Sequence, residues 1–255
     1  MPYRRLPNTD AARIRALKAA LKKGQNLELD TIAYPFPLKQ KIEFFLPKFE
    51  VAIVNSRLAK EKQFDNSQKF SEYAKKARLY ISHFIQVLNF CIARGELKSS
   101  ARTFYGLEEN SSKVPSLLTE QDLLQWGEKI IAGEQNRLSN GGGNPIYCPS
   151  IALVKVNYEN FKENYTRQKQ FQNNSARESG NVAQYRDEAD ALVLEIWNEV
   201  EQYFEGVKDE EQRRYMCEEY GLVYVFRRGE GKNPEAEGGR KYYFKTVLIV
   251  YFMFL

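Results

Sequence analysis

His83 is the only histidine in the chain, so a Ser-His-Asp or Cys-His mechanism would have to be built on it. It stands between Ser82 and Phe84 beside an apolar helical stripe, and no Gly-framed nucleophile occurs in the sequence. A structural or simply exposed histidine is the expectation. A single histidine also excludes a di-metal carboxylate bundle, which needs a Glu-x-x-His motif from each of two helices. Cys91, Cys148 and Cys217 lie far apart, with neither metal-knuckle nor redox spacing, and their odd number argues against a disulfide framework. Gly141, Gly142 and Gly143 form the one glycine cluster that could approach a phosphate. They lack a preceding strand and a following Lys-Ser/Thr, so they read as a helix connector. The acid pairs Glu195/Glu199 and Glu199/Glu201 fall on a polar helix face, whereas paired acids do glycosidase chemistry only across a cleft. The sequence therefore predicts no catalytic residue, no cofactor and no metal site.

Charge supplies the remaining candidate. Residues 1–99 carry 19 Lys/Arg against 9 Asp/Glu, and the rest of the chain carries 19 against 24. Arg4 and Arg5 on the N-terminal arm, with Arg13, Arg15, Lys18, Lys22 and Lys23 on the first helix, could neutralise phosphates of an anionic or nucleic-acid partner. Aromatic residues do not interleave with these cations as base stacking would need, and no helix-turn-helix or zinc module is present. The competing reading is internal: the two halves of one bundle face each other with complementary charge.

The element around which the chain is organised spans Tyr73 to Ile92. Tyr73, Ala77, Tyr80, Ile81, Phe84, Leu88, Cys91 and Ile92 recur at steps of three and four, which places them on one face of an α-helix. Ile85, Val87 and Phe90 add a second apolar face, so the helix should have neighbours on more than one side. Before it, residues 1–8 read as an irregular arm. Asn8 or Thr9 caps a first helix with Asp10 in its first turn, and Gly24 ends it. A linker holding Pro35 and Pro37 should be extended. A long helical pattern then begins near Leu38 with Ile42, Phe45, Leu46, Phe49, Ala52, Ile53 and Leu58. Pro47 sits inside it, and an interior proline costs about 3 kcal/mol, so a kink or break is expected near Leu46. Asp65, Asn66 and Ser67 mark either a turn or a solvated stretch of one rod.

Residues 99–118 read as a connector. Thr119 with Asp122 makes a near capping box for a third, short helix whose buried side is Leu123, Leu124, Trp126, Ile130 and Ile131. Asn140 to Pro145 is a break. A further helix carries Ile151, Val154, Tyr158, Phe161 and Tyr165, with Gly180 as an interruption before the last strong helix. That last helix has Tyr185, Ala189, Leu192, Val193, Ile196, Trp197, Val200 and Phe204. A charged helix from Asp209 to Tyr220 leads to a short strand at Leu222–Phe226. Ala77, Tyr80, Ile81, Phe84, Ile85 and Leu88 align without a gap on Ala189, Leu192, Val193, Ile196, Trp197 and Val200, and KQF at 62–64 recurs at 169–171. Such matches arise either from an internal duplication (half-repeats 9–97 and 119–205) or from shared helical periodicity.

Residues 229–241 read as a flexible linker, and the chain ends on KYYFKTVLIVYFMFL, ten uncharged residues following Lys245. A spanning helix needs about 20 apolar residues, so no transmembrane segment is expected. Residues 242–255 could pair as a strand, dip into a membrane surface, remain an aggregation-prone end, or be a non-native extension. No apolar h-region follows Met1, and the cytoplasm is the expected compartment.

The strings PYRRLPNTDAARIRALKAA at 2–20, KARLYISHFIQVLN at 76–89, VPSLLTEQDLLQWGEKII at 114–131 and LVYVFRRGE at 222–230 resemble a set of uncharacterised gut-bacterial helical proteins. The resemblance covers residues 1–230, leaves the tail unmatched and carries no site with it. The overall expectation is a mainly α protein: an antiparallel helical bundle of about six helices over residues 1–228, with two related halves if the duplication is real, and a short β element near the C-terminus. Its function is expected to be non-catalytic, acting through a protein partner or as a homodimer, with anion or nucleic-acid binding by the basic half as the alternative.

Overall fold

A computed structural model describes residues 2–25 and 31–227; the expected linker 229–241 and the apolar tail lie outside the described residues. The order of elements is β1 (Tyr3–Arg4), α1 (Asp10–Gln25), α2 (Phe36–Ala93), a 3-10 helix (Ser99–Tyr105), α3 (Glu120–Ser139), α4 (Ile151–Tyr203), α5 (Glu210–Glu218) and β2 (Tyr224–Val225). The fold is mainly α, as the helical periodicity predicts, with a short two-stranded antiparallel sheet that includes the β element expected near the C-terminus.

The described chain divides into two compact units, and each draws on both halves of the sequence. The first joins the described residues up to Ile53 to those between Asn181 and Arg227. Its core gathers Leu17 from α1, Ile42 and Phe49 from α2, Val193, Ile196, Trp197 and Val200 from α4, and Tyr220 after α5. Within it α2 and α4 run antiparallel: Lys41 reaches Glu195 at 3.6 Å, while Phe45 and Phe49 pack on the ring of Tyr185. Tyr34 covers this core, its hydroxyl donating to the Ala20 carbonyl at 2.9 Å; burial, with Tyr220 alongside, pushes it up to about 12.

The two strands are tied into the same unit. Tyr3 pairs with Val225 and Arg4 with Tyr224. Glu201 on α4 accepts from Arg4 Nη1 at 2.8 Å and from the Tyr224 hydroxyl at 2.7 Å, so one carboxylate fastens both strands. The arm expected to be irregular is therefore in part a strand. Its partner lies more than two hundred residues away, and two residues are too few to show an alternation.

The second unit, Val54–Gly180, is centred on Ala77, Ile81, Phe84, Ile85 and Leu88 of α2, all fully buried. Around them pack Tyr105 of the 3-10 helix, Leu123 and Ile130 of α3, and Val154, Tyr158 and Phe161 of α4. Phe70 stacks on Phe161. Thr119 caps α3 as expected: its hydroxyl accepts from the Asp122 N–H at 3.0 Å, and Asp122 accepts from the Thr119 N–H at 3.0 Å. At 20 residues α3 is longer than the short helix expected. It approaches its neighbours through glycine, because a Cβ on Gly127 would run into the Tyr158 ring and one on Gly133 would meet Tyr105.

The helices are unbroken at Pro47 and Gly180, where interruptions are expected, and at residues 65–67 the continuous rod holds rather than the turn; each has a physical reason. Helix α2 is unbroken through Pro47. The proline cannot donate to the carbonyl of Glu43, but both residues are exposed, so the loss falls on the solvent side of the helix while Ile42, Phe45, Leu46 and Phe49 bury the opposite face. Helix α2 also passes through residues 65–67, because Asn66 is buried and donates to Gln168 Oε1 of α4 at 2.6 Å. Helix α4 continues through Gly180, carried by the buried Ser175 and Val182 on either side.

Candidate interaction surface

Exposed apolar residues, rather than a reactive cluster, mark the described surface of α2. Phe44, Val51 and Leu58 are seven residues apart, and Pro47 and Val54 fall between them at the intermediate helical steps. Their exposures are 72% for Phe44, 57% for Val51, 54% for Val54 and 46% for Leu58. At about 100° per residue these five positions share one narrow stripe, opposite the face that buries Ile42, Phe45, Phe49 and Ala52. An apolar seam recurring at seven and at intermediate steps is the pattern by which one helix takes another along its length. The sequence holds this signal as a second apolar phase within residues 38–58. It is easily missed, because the buried phase is stronger and draws Leu58 into the same run.

The cations singled out in the sequence lie on α1 in two groups. Arg13 is bound by Asp190 of α4 through two hydrogen bonds, Nε at 2.7 Å and Nη2 at 2.8 Å. This contact, working against partial burial, raises its pKa. Lys23 reaches Glu219 at 2.6 Å, and Lys18 reaches Glu50 at 2.6 Å. Arg15, Lys18 and Lys22 share the outward face of the helix; among the described residues, Arg15 and Lys22 make no ion pair. Arg4 goes to Glu201, and Asp10 accepts both donors of Arg186. Within the first unit, basic residues of the chain's first half are thus joined repeatedly to acids of its last third.

The second unit has a cavity of about 480 Å³ where the C-terminal turn of α2 meets residues 144–148. Val87, Cys91, Arg94, Leu97, Ile146 and Cys148 are among its lining residues. Gly95, with φ of 76°, ends α2, and the Glu96 N–H turns back to the Cys91 carbonyl at 2.9 Å. Arg94 is committed to Glu96 through two hydrogen bonds, at 2.6 and 3.1 Å. Burial and the neighbouring Glu96 push the Cys91 thiol up, the opposite of what a thiolate nucleophile needs.

The wall of that cavity is set by a buried ion pair. Glu134 and Arg137 on α3 are both fully buried and 2.8 Å apart. Arg137 also donates to the carbonyls of Gly142 and Asn144, and Glu134 accepts from the Ile146 N–H at 3.3 Å and from the Tyr105 hydroxyl. Burial works against the charge on Glu134, but the hydrogen bonds from Arg137, Tyr105 and Ile146 prevail and hold its carboxyl below the usual range. The glycine segment is therefore folded around the guanidinium of Arg137 and is a connector, as its sequence context suggests. His83 is exposed, and Glu195 is paired with Lys41 on an exposed face. Among the described residues, no group of three or more His, Cys, Asp or Glu side chains converges as a metal site would, and no helix is long and apolar enough to cross a membrane.

No protein-family model matches the chain, and neither a curated protein nor a solved structure shows significant similarity to it.

Proposed function

We propose that this is a non-catalytic helical protein that works through protein–protein contact, and that the exposed stripe of α2 is the contact face. The carrying observation is the row Phe44, Val51, Val54 and Leu58, four large apolar side chains that the described residues leave exposed along one helix. Scattered single apolar residues on a surface need no explanation, whereas a contiguous row does. Three free cysteines fit a reducing compartment, and we place the protein in the cytoplasm. The test is sedimentation of the labelled full chain in an extract of its own cells. Wild type should sediment as a species larger than the chain, and Val51→Glu should return it to the single-chain value with an unchanged circular dichroism spectrum. Identical sedimentation of the two proteins overturns the reading.

A second reading rests on Arg15, Lys18 and Lys22, three exposed cations in one row on α1 that could track an anionic partner, nucleic acid included. It requires retention of a mixed DNA/RNA ladder at low salt that falls steeply as salt rises and disappears in Arg15→Glu/Lys22→Glu. Retention that is absent, or insensitive to salt, removes it.

A further inference from the structure

We propose that the partner of the α2 stripe is a second copy of this chain, with the two α2 helices parallel and in register. The inference rests on the contact function proposed above and adds the identity and orientation of the occupant. Charge arranged beside the apolar row selects both.

With Phe44, Val51 and Leu58 as the first seam position of each heptad, Pro47 and Val54 occupy the second. Glu43 and Glu50 then lie along one edge of the seam, and Lys48 and Asn55 along the other. Glu43, Lys48 and Asn55 are exposed, while Glu50 is half-buried beside Lys18. In a parallel pair the first edge of each helix meets the second edge of its mate, five residues further on. Glu43 therefore faces Lys48 of the second copy, Glu50 faces Asn55, and symmetry makes each contact twice. Every seam layer from Phe44 to Leu58 is apolar on apolar. Beyond Leu58 the next seam position is Glu61, whose carboxylate holds Arg57 at 2.9 Å, so the row ends there.

Antiparallel packing does worse in either register that overlaps the row. One register sets Phe44 opposite Glu61, and the other sets Glu50 against its own copy. A buried acid opposite an aromatic ring, or two like charges across a seam, opposes association. A face of two heptads is short of a standard protein interface, so a reversible dimer is expected rather than an obligate one.

The experiment is sedimentation equilibrium at low salt on the purified full chain and on Glu43→Lys, Lys48→Glu and the double swap, with circular dichroism to verify folding. Wild type should show a concentration-dependent dimer. Each single reversal, acting on two symmetric exposed pairs, should weaken it about tenfold, and the double swap should restore it. A wild-type chain that stays monomeric at all concentrations overturns the inference. A dimer that the double swap fails to restore overturns the parallel register. A chain that is monomeric alone, yet forms a Val51-dependent complex in extract, refutes self-association while leaving the contact function standing.

Discussion

Arg137 shows at the scale of a single residue why charge in this protein has to be read through its surroundings. Breaking a fully buried pair leaves an uncompensated ion, so Arg137→Met should destabilise the chain by about 3–5 kcal/mol in chemical denaturation. Replacing both partners, as in Glu134→Leu/Arg137→Met, should cost much less, because no buried charge then remains unpaired. The pH dependence has a defined sign. Glu134 is held below the usual carboxylate range when folded, so its stabilising contribution is present above that range and is lost as pH falls through its folded pKa. A thermal melt of wild type should therefore drop on acidification below about pH 4.5, the ordinary carboxylate range. The double variant should lack that share of the drop. None of this is legible in the sequence: Glu134 and Arg137 are three apart on a helix, a spacing that usually marks a solvated pair, and only the packed loop of residues 142–146 reveals their burial. Thr119 was legible, because a cap needs only its own helix. Removing it by Thr119→Ala should cost about 1 kcal/mol in the same assay.

Elements follow the same division between local and distant causes. The periodicity of Tyr73–Ile92 and of Tyr185–Phe204 locates the helical segments that form the two cores, since burial imposes that spacing directly. Phe90 is an exception, 60% exposed despite its apolar character. Helix ends are less legible where a partner decides them. Asn66 looks like a turn residue until Gln168 is placed opposite, and Pro47 looks like a breaker until its face proves to be in water. Two glycines separate the effects experimentally. Gly180 is exposed on α4, with open space where a Cβ would go, so Gly180→Ala should raise stability by about 0.5–1 kcal/mol through helix propensity. Gly127→Ala gains the same propensity but drives its methyl into the Tyr158 ring, and it should lower stability by about 1–3 kcal/mol. Melting temperatures of the two variants should move in opposite directions. Equal upward shifts would mean that α3 and α4 do not approach as closely as described.

For the molecule as a whole, part of the uneven charge along the sequence is used internally, in ion pairs between the N-terminal region and the last third of the chain. Arg4, Arg13 and Lys23 from the N-terminal region meet Glu201, Asp190 and Glu219, and Asp10 meets Arg186 in the reverse sense. A basic first half was legible, but its use was not, because ion-pair partners are set by which helices lie side by side. The apolar surplus on α2 has no such internal partner among the described residues, and it carries the functional account. The most direct test places a photo-crosslinking amino acid at Val51 of the full chain in its native cells, with the exposed Lys155 of α4 as the control position. Irradiation should join the chain to protein, in the first instance to its own copy, from position 51 and not from position 155. Equal products from both positions, or none from position 51, would contradict it.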